Sequence, residues 1–222
     1  MSGALPPFGA GLGADILLLA VLTGIKPLRL IEQPEPFDNE EWIFELKHDG
    51  FRAVAYVNQS ACRLVSRNGH PFDQFGPLCQ WLASHLEVKE AVLDGEIVCL
   101  GSDGRSQFYD LLGKRGHPLF YAFDLLWLDG RDLRDEPLLG RKRRLEALVP
   151  APPSRLLYVD HLEALGSAFF RQVCAMDLEG IIAKRRHGLY REGTRWIKIK
   201  NPTYSQAEGR GELFNQRRPK GP

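Results

Sequence analysis

The sequence predicts an α+β domain with mainly antiparallel sheets. Eight segments rich in Val, Ile, Phe, Tyr and Trp are bounded by turn residues, as is typical of strands. Asp-Gly pairs, which favour tight turns or bulges, begin at positions 49, 94, 103 and 129. Helical spacing of apolar residues occurs in only three places. Many strands with few helices favour this fold class over alternating strand–helix units.

Taken in order along the chain, the predicted strands and helices fill residues 25–205. The predicted strands are Trp42–Leu46, Phe51–Val57, Cys62–Ser66, Ala91–Leu100, Leu119–Leu128, Leu156–Val159, Gly180–Lys184 and Trp196–Lys200. The predicted helices lie at 75–86, 138–149 and 165–176, where apolar residues recur every three or four positions. The run Arg141 to Arg144 within the second helix is interpreted as a solvated face.

Composition places the chain among ordinary globular proteins. It has 222 residues, of which 44% are hydrophobic and 26% charged, and this excludes a disordered chain. The formal net charge of +1 excludes a uniformly basic nucleic-acid coat but leaves room for local basic patches. The four cysteines show no metal-binding spacing, so we expect reduced thiols in a cytoplasmic protein.

The two ends differ in composition from the body. Residues 1–24 are expected to be a poorly ordered leader, because their apolar run at 16–22 is too short to span a membrane. No Lys or Arg precedes Lys26, which argues against a secretory signal. Residues 206–222 are predicted to be a loosely ordered basic tail.

Three predicted strands carry charged residues at alternate positions, where one face of the strand should be apolar. These are Glu45, Lys47 and Asp49; Asp94 and Glu96; and Lys198 and Lys200. Buried charges are rare unless they are paired or bind a metal. The strands therefore predict either solvated polar faces or a cleft for a phosphate-containing anion with its divalent metal.

The chemistry-bearing segments resemble, in order, the motifs of covalent nucleotidyltransferases, the superfamily of ATP-dependent DNA ligases, RNA ligases and mRNA capping enzymes. They are Lys47-His48-Asp49-Gly50-Phe51-Arg52, Ser66-Arg67-Asn68-Gly69, Asp94-Gly95-Glu96, Tyr121-Ala122-Phe123-Asp124, Glu179-Gly180-Ile181-Ile182-Ala183-Lys184 and Trp196-Ile197-Lys198-Ile199-Lys200. The residues at these motif positions are most similar to those of DNA ligases, in particular the ligase modules of bacterial end-joining proteins. The resemblance implies an ATP-grasp-like nucleotidyltransferase domain around a nucleotide cleft.

The resemblance also implies a reaction. Lys47 would attack the α-phosphate of ATP and hold AMP as a phosphoramidate. Attack requires the neutral amine, which the nearby cations Lys198 and Lys200 would favour while binding the α-phosphate. Glu179 would hold Mg²⁺ or Mn²⁺, and Glu96 would assist that metal or contact the ribose.

Further roles implied by the resemblance concern the base and the DNA. For the nucleotide, Glu45 and the Leu46 backbone would read adenine, Phe123 would stack on it or else belong to the core, and Arg52 would contact the ribose. Lys184 would join the nucleotide site only if a bulge brought it to the face of Glu179. For the nicked double-stranded DNA, Arg67 would bind the 5′-phosphate and Asp49 would lie near the 3′-hydroxyl.

The resemblance ends at motif V. No OB-fold domain is expected in residues 201–222, so an OB-fold or end-joining protein could be required in trans, and DNA binding should be weak and salt-sensitive. Three alternatives stay open: an RNA ligase or capping-type enzyme, a nick-binding module with weak catalysis, and a hydrolase that uses Asp94 and Glu96. No membrane association is expected.

Overall fold

The computed structural model describes residues 24–207, so the expected leader and basic tail lie almost wholly outside the described residues. The strands are β1 (Leu30–Glu32), β2 (Asn39–Leu46), β3 (Phe51–Asn58), β4 (Cys62–Ser66), β5 (Glu90–Val98), β6 (Leu119–Leu128), β7 (Arg131–Asp132), β8 (Leu156–Tyr158), β9 (His161–Ala164), β10 (Gly180–Arg185) and β11 (Trp196–Lys200). The helices are α1 (Gly76–His85), α2 (Phe108–Leu112), α3 (Leu138–Leu148) and α4 (Gly166–Ala175). Short 3-10 turns lie at Asp73–Phe75 and Ser205–Ala207.

Two sheets form the body of the domain. The first has the strand order β1-β11-β10-β2-β9, and the second has the order β4-β3-β5-β6-β7, with β8 alongside β6. The pairs β1–β11 and β6–β8 are parallel, and the other strand pairs of the described region are antiparallel. The predicted α+β class with mainly antiparallel sheets is confirmed.

Three apolar clusters hold the layers together. One lies between the second sheet and helices α1, α2 and α3, and a smaller one lies between the first sheet and α4. The third joins the two sheets and includes Val54 and Leu126 of the second sheet with Ile182 and Trp196 of the first. Because this third cluster fills only part of the space between the sheets, a cleft remains beside it.

Helix α3 corrects one expectation. The run Arg141 to Arg144 was expected on a solvated face, but Arg141 and Lys142 are each only 1% exposed, whereas Arg143 and Arg144 are exposed. Leu138 and Leu145 mark the buried face of the helix, and positions three and four after Leu138 fall on that same face. The two buried cations therefore follow from helical geometry, and both are paired with carboxylates.

No helix in residues 24–207 is long and apolar enough to cross a bilayer.

Candidate active site

A cleft opens between the two sheets, and both sheets contribute to its lining. Its inner slot is lined by Leu30, Glu45, Leu46, Lys47, His48, Arg52, Glu96, Phe123, Ile182, Lys184 and Trp196. A wider groove of about 1640 Å³ continues from Lys47, Glu96 and Lys198 towards Arg63 and Arg67. All six sequence motifs thus supply residues to the slot or the groove, which share Lys47, Arg52 and Glu96.

Lys47 stands where strand β2 ends. Its backbone N–H donates to the Gly180 carbonyl at 2.9 Å, and its ammonium donates to the Glu179 carboxylate in an ion pair. The side chains of Lys47 and Glu179 are 19% and 13% exposed, so both can still be reached from the cleft. Because β2 stops at Leu46, the expected alternation through Asp49 does not hold. Asp49 is buried and accepts a hydrogen bond from the Tyr204 hydroxyl at 2.9 Å.

Two motif glycines are required by close approaches of the backbone around Lys47. A Cβ on Gly50 would lie 2.1 Å from the Ile97 carbonyl oxygen, so the chain after Lys47 could not pass β5 with any side chain there. Gly180 has a φ of +145°, and a Cβ there would lie 2.2 Å from the Ile199 carbonyl oxygen. These glycines let Lys47 and Glu179 meet.

Two acidic residues of β5 have different surroundings. Asp94 is fully buried and accepts two hydrogen bonds from the Arg52 guanidinium, at 3.1 and 2.7 Å, and one from the Tyr190 hydroxyl at 2.7 Å. Glu96 lines the cleft, and burial raises its pKa to about 8 although the Lys47 and Arg52 cations oppose that shift. Because Asp94 is held by Arg52 and Tyr190, the geometry does not favour Asp94 and Glu96 as the acid–base pair of a hydrolase.

A narrow slot with aromatic walls adjoins Lys47. The rings of Phe123 and Trp196 meet edge to face at 5.6 Å, and the Lys184 ammonium lies 4.4 and 3.9 Å from their centroids. The Arg52 guanidinium lies over the same rings at 5.4 and 5.1 Å. Phe123 is half-buried at the edge of the inter-sheet cluster, so its ring is available to the slot as well as to the core.

Lys184 enters this slot without the expected bulge. Strand β10 begins at Gly180, so Glu179 lies before the regular pleat of the strand. The five-residue spacing between Glu179 and Lys184 therefore does not force the two side chains onto opposite faces. Lys184 lies two residues beyond Ile182, which is opposite Glu45, and its ammonium pairs with the Glu45 carboxylate. Burial lowers the pKa of Lys184 to about 8 despite the attraction of Glu45.

Lys198 and Lys200 share one face of β11, as the sequence pattern predicts. Both ammonium groups contact the Glu32 carboxylate of β1, at 3.0 and 2.9 Å. Hydrogen bonds from Lys200 and Lys198 hold the pKa of Glu32 below its ordinary value. The pair is thus a site that already binds one anionic group.

Arg67 follows β4 in an exposed turn and lines the outer groove, away from the inner slot. The structure thus brings seven predicted nucleotide residues together at the slot: Glu45, Leu46, Lys47, Arg52, Glu96, Phe123 and Lys184. Lys198 and Arg67 line the groove instead, and Lys200 lines neither part of the cleft.

The acidic residues of the cleft fit a hard divalent cation. Glu96 and Glu179 are close enough for the charge of Glu179 to raise the pKa of Glu96, and oxygen donors are the ligands that Mg²⁺ prefers. Within residues 24–207, no group of three or more His, Cys, Asp or Glu side chains has metal-binding geometry. Mg²⁺ commonly binds through one or two carboxylates plus phosphate oxygens, so two carboxylates beside a phosphate site suffice.

Three contacts around the cleft were missed from the sequence. Lys142 donates to Glu45 at 2.6 Å, Tyr204 donates to Asp49, and Glu32 pairs with Lys198 and Lys200. The position of Lys142 on the buried face of α3 was the available signal. Tyr204 and Glu32 carry no spacing pattern that marks them.

The fold and the cleft define a nucleotidyltransferase domain of the kind found in ATP-dependent ligases. A solved structure described as mycobacterial DNA ligase D complexed with ATP and MES superposes with a TM-score of 0.68 at 33% identity, covering 80% of this chain and 60% of that one. Residues 27–200 match the family described as ATP dependent DNA ligase domain. The chain belongs to this family.

Curated relatives show the same similarity. The chain is 36% identical over 184 residues to the multifunctional non-homologous end joining protein LigD of Pseudomonas aeruginosa, covering 77% of this chain and 21% of that protein. It is 37% identical over 166 residues to the multifunctional non-homologous end joining DNA repair protein LigD of Mycobacterium tuberculosis, covering 72% and 22%. The chain therefore spans about a fifth of the length of these relatives.

Proposed function

We propose that this chain is the catalytic adenylation domain of a bacterial, cytoplasmic ATP-dependent DNA ligase that acts in end-joining repair. It forms a covalent lysyl-AMP and passes AMP to the 5′-phosphate of a DNA nick. One observation carries the proposal: Lys47 pairs with the Glu179 carboxylate and lines both the aromatic slot and the groove that contains Lys198. Membership of the ligase family and the named end-joining relatives support it.

In the first step, the neutral amine of Lys47 attacks the α-phosphorus of ATP. A nitrogen–phosphorus bond forms, the bond to the bridging oxygen breaks and its electron pair leaves with pyrophosphate, and the attacking nitrogen releases one proton to solvent. Lys198 and Lys200 neutralise the charge that develops on the phosphate oxygens, displacing Glu32 as their anionic partner. Glu96 and Glu179 would hold Mg²⁺ or Mn²⁺, which supplies further stabilisation of phosphate charge when bound.

The slot is suited to the adenosine of the same nucleotide. Phe123 offers a ring face for stacking, and Glu45 with the Leu46 backbone offers hydrogen-bonding groups at the slot wall. Arg52, which lines both parts of the cleft, is placed for the ribose, and Lys184 lies above the two aromatic rings. These roles account for the presence of charged side chains between apolar strands.

The second and third steps use the outer groove. Arg67 binds the 5′-phosphate of the nick, AMP moves from Lys47 to that phosphate, and the 3′-hydroxyl then displaces AMP with Asp49 nearby. The groove of about 1640 Å³ that is lined by both Lys47 and Arg67 supports a nucleic-acid strand as the second substrate. The end-joining relatives support a partner from the same repair process, such as an OB-fold or end-joining protein.

The test is a nick-sealing assay with ATP and Mg²⁺. Nicked duplexes with DNA or RNA on either side of the break are incubated with the chain, alone and with an OB-fold protein in trans. We expect sealing of the DNA nick, strong loss with Arg67→Ala, and little change with Arg143→Ala, an exposed cation on α3. Sealing confined to RNA would favour an RNA ligase, and nick binding without any sealing in either condition would favour a binding module.

A further inference from the structure

Three charged side chains meet behind the wall of the base slot. Glu45 of β2 pairs with Lys142 of α3 through one carboxylate oxygen, Oε1, at 2.6 Å and with Lys184 of β10 through the other, Oε2. The three side chains are 1% or 2% exposed. Lys184 lines the slot together with Glu45, whereas Lys142 reaches Glu45 from the helix side.

The ammonium of Lys142 is fixed by its surroundings. It donates a second hydrogen bond to the Val159 carbonyl at 2.8 Å and lies 4.4 Å from the centre of the Tyr158 ring. Its neighbour Arg141 is held by two hydrogen bonds to Asp124, at 2.7 and 2.8 Å, which anchors this turn of α3. Lys142 therefore presents a rigid charge to Glu45.

Stability alone does not explain a buried cluster of one carboxylate and two ammonium groups. Desolvating a buried ion pair costs about as much as the pair regains, so apolar residues of similar volume would stabilise this position equally well. What the pair does provide is a carboxylate with a defined charge and orientation. Burial would raise the pKa of Glu45, but the ammonium groups of Lys142 and Lys184 outweigh it and keep that pKa below its ordinary value.

An ionised carboxylate accepts hydrogen bonds and cannot donate them. Each Glu45 oxygen has a second lone pair beyond the one used by its lysine, and Glu45 lines the slot together with Lys184 and Lys47. A purine with a 6-amino group offers a donor to this acceptor. A purine with a 6-oxo group instead places a second acceptor there. The 6-oxo oxygen and the Glu45 oxygen would then face each other without a donor between them.

We propose that Lys142 is a positioning residue that holds Glu45 as a hydrogen-bond acceptor at the slot wall and thereby sets the preference for 6-amino over 6-oxo purine nucleotides. The inference rests on the proposed function, in which the slot receives the base of ATP. Lys142 acts through Glu45 and does not touch the nucleotide. Lys184, in contrast, lies over the slot rings and contacts Glu45 from within the cleft.

The experiment measures ATP and GTP binding to the full chain by isothermal titration calorimetry in EDTA, where the covalent step is suppressed. Lys142→Met removes the charge at similar length, Lys142→Arg retains it, and Arg144→Met is the matched control from the exposed face of α3. We expect the ratio of ATP to GTP affinity to fall about tenfold or more in Lys142→Met, as for a lost specificity contact. Lys142→Arg should regain part of the ratio, and Arg144→Met should match the unmodified chain.

A double-mutant cycle separates this role from a structural one. If Lys142 acts through Glu45, Lys142→Met should change the ratio little once Glu45→Gln is present. Equal loss of ATP and GTP affinity in Lys142→Met, or full additivity with Glu45→Gln, would overturn the inference. Thermal melts establish that the variants fold, and if Lys142→Met does not, the same ratio is read from Lys142→Gln, which keeps a donor without the charge.

Failure of the proposed function is recognised separately. If the unmodified chain shows no preference for ATP and forms no lysyl-AMP with Mg²⁺, the proposed function is wrong and the inference falls with it. If the unmodified chain prefers ATP and folded Lys142→Met prefers it equally, the inference alone is wrong.

Discussion

Lys47 and Glu179 are 132 residues apart in the sequence and form a hydrogen-bonded ion pair in the cleft. Lys47 directly follows β2 and Glu179 directly precedes β10, and the antiparallel pairing of β2 with β10 brings them together. The nucleophile and a proposed metal ligand are thus held by the same pair of strands.

This pairing predicts the effect of Glu179→Ala. Loss of the carboxylate removes the partner of Lys47 and one of two proposed metal ligands, so lysyl-AMP formation should slow by about 100-fold or more. ATP binding in EDTA should change little, because no metal is bound there and Glu179 does not contact the adenine in the proposed site. Single-turnover labelling and calorimetry check the two parts, with Glu163→Ala on β9 as an acidic control. An unchanged labelling rate in Glu179→Ala would contradict the metal role.

Replacement of Phe123 tests whether its ring serves the nucleotide or the core. Loss of a stacking ring costs about 1–3 kcal/mol per base, so Phe123→Ala should weaken ATP binding by roughly one to two orders of magnitude. Phe123→Tyr should retain most of the affinity because it keeps the ring. If Phe123→Ala lowers the melting temperature but leaves ATP affinity intact, the ring is a core residue only.

The buried pair of Arg141 and Asp124 predicts a large effect on stability. Both side chains are at most 1% exposed and share two hydrogen bonds. Arg141→Met leaves Asp124 buried without its cation, which should lower the free energy of unfolding by about 3–5 kcal/mol. Urea denaturation measures this, and Arg144→Met on the exposed face should stay within about 0.5 kcal/mol of the unmodified chain. Similar values for the two variants would show that Asp124 finds another partner.

The high pKa of Glu96 predicts a pH-dependent difference between the unmodified chain and Glu96→Gln. Its pKa is about 8 in the folded chain against an ordinary value of 4.5, so the folded state holds more protons between these values. Because Glu96 ionises in the unfolded chain while it stays protonated in the folded chain, the free energy of unfolding falls as pH rises from 4.5 to 8. Without metal, the melting temperature of Glu96→Gln minus that of the unmodified chain should therefore increase as pH rises across this interval.

Mg²⁺ provides the control for that measurement. A bound cation favours the ionised carboxylate, so adding Mg²⁺ at pH 8 should narrow the difference between the two melting temperatures. A difference that does not vary with pH would mean that Glu96 is ionised throughout.

Much of the fold follows from local sequence patterns. The boundaries of β4, β6 and β11 match the predicted strands, because runs of apolar and aromatic residues between turn residues define them fully. Strands β1, β7 and β9 were not predicted. They have two to four residues, and their pairing partners, rather than an internal pattern, make them strands. Helix α2 has only five residues, too few to show a helical period.

The proposed site likewise has a part that the sequence predicts and a part that it does not. Order and spacing of the motifs were enough to predict that Glu45, Lys47, Arg52, Glu96, Phe123 and Lys184 lie around one slot. Asp49, Glu179 and Lys200 were predicted for the same site but do not line the cleft. Contacts between motifs and the rest of the chain were not predictable. Lys142 lies 97 residues from Glu45 in the sequence. No local sequence pattern indicates which buried cation pairs with which carboxylate.

The measurement that tests the proposed chemistry most directly is labelling with ATP radioactive at the α-phosphate. The chain and its Lys47→Ala variant are incubated with Mg²⁺ and the labelled ATP, denatured, and tested for a bond that is labile to acid and stable to base. We predict label with this phosphoramidate behaviour on the unmodified chain and none on Lys47→Ala. Equal label on both chains, or none on either with Mg²⁺ or Mn²⁺ and an OB-fold protein in trans, would contradict the assignment of Lys47 as the nucleophile.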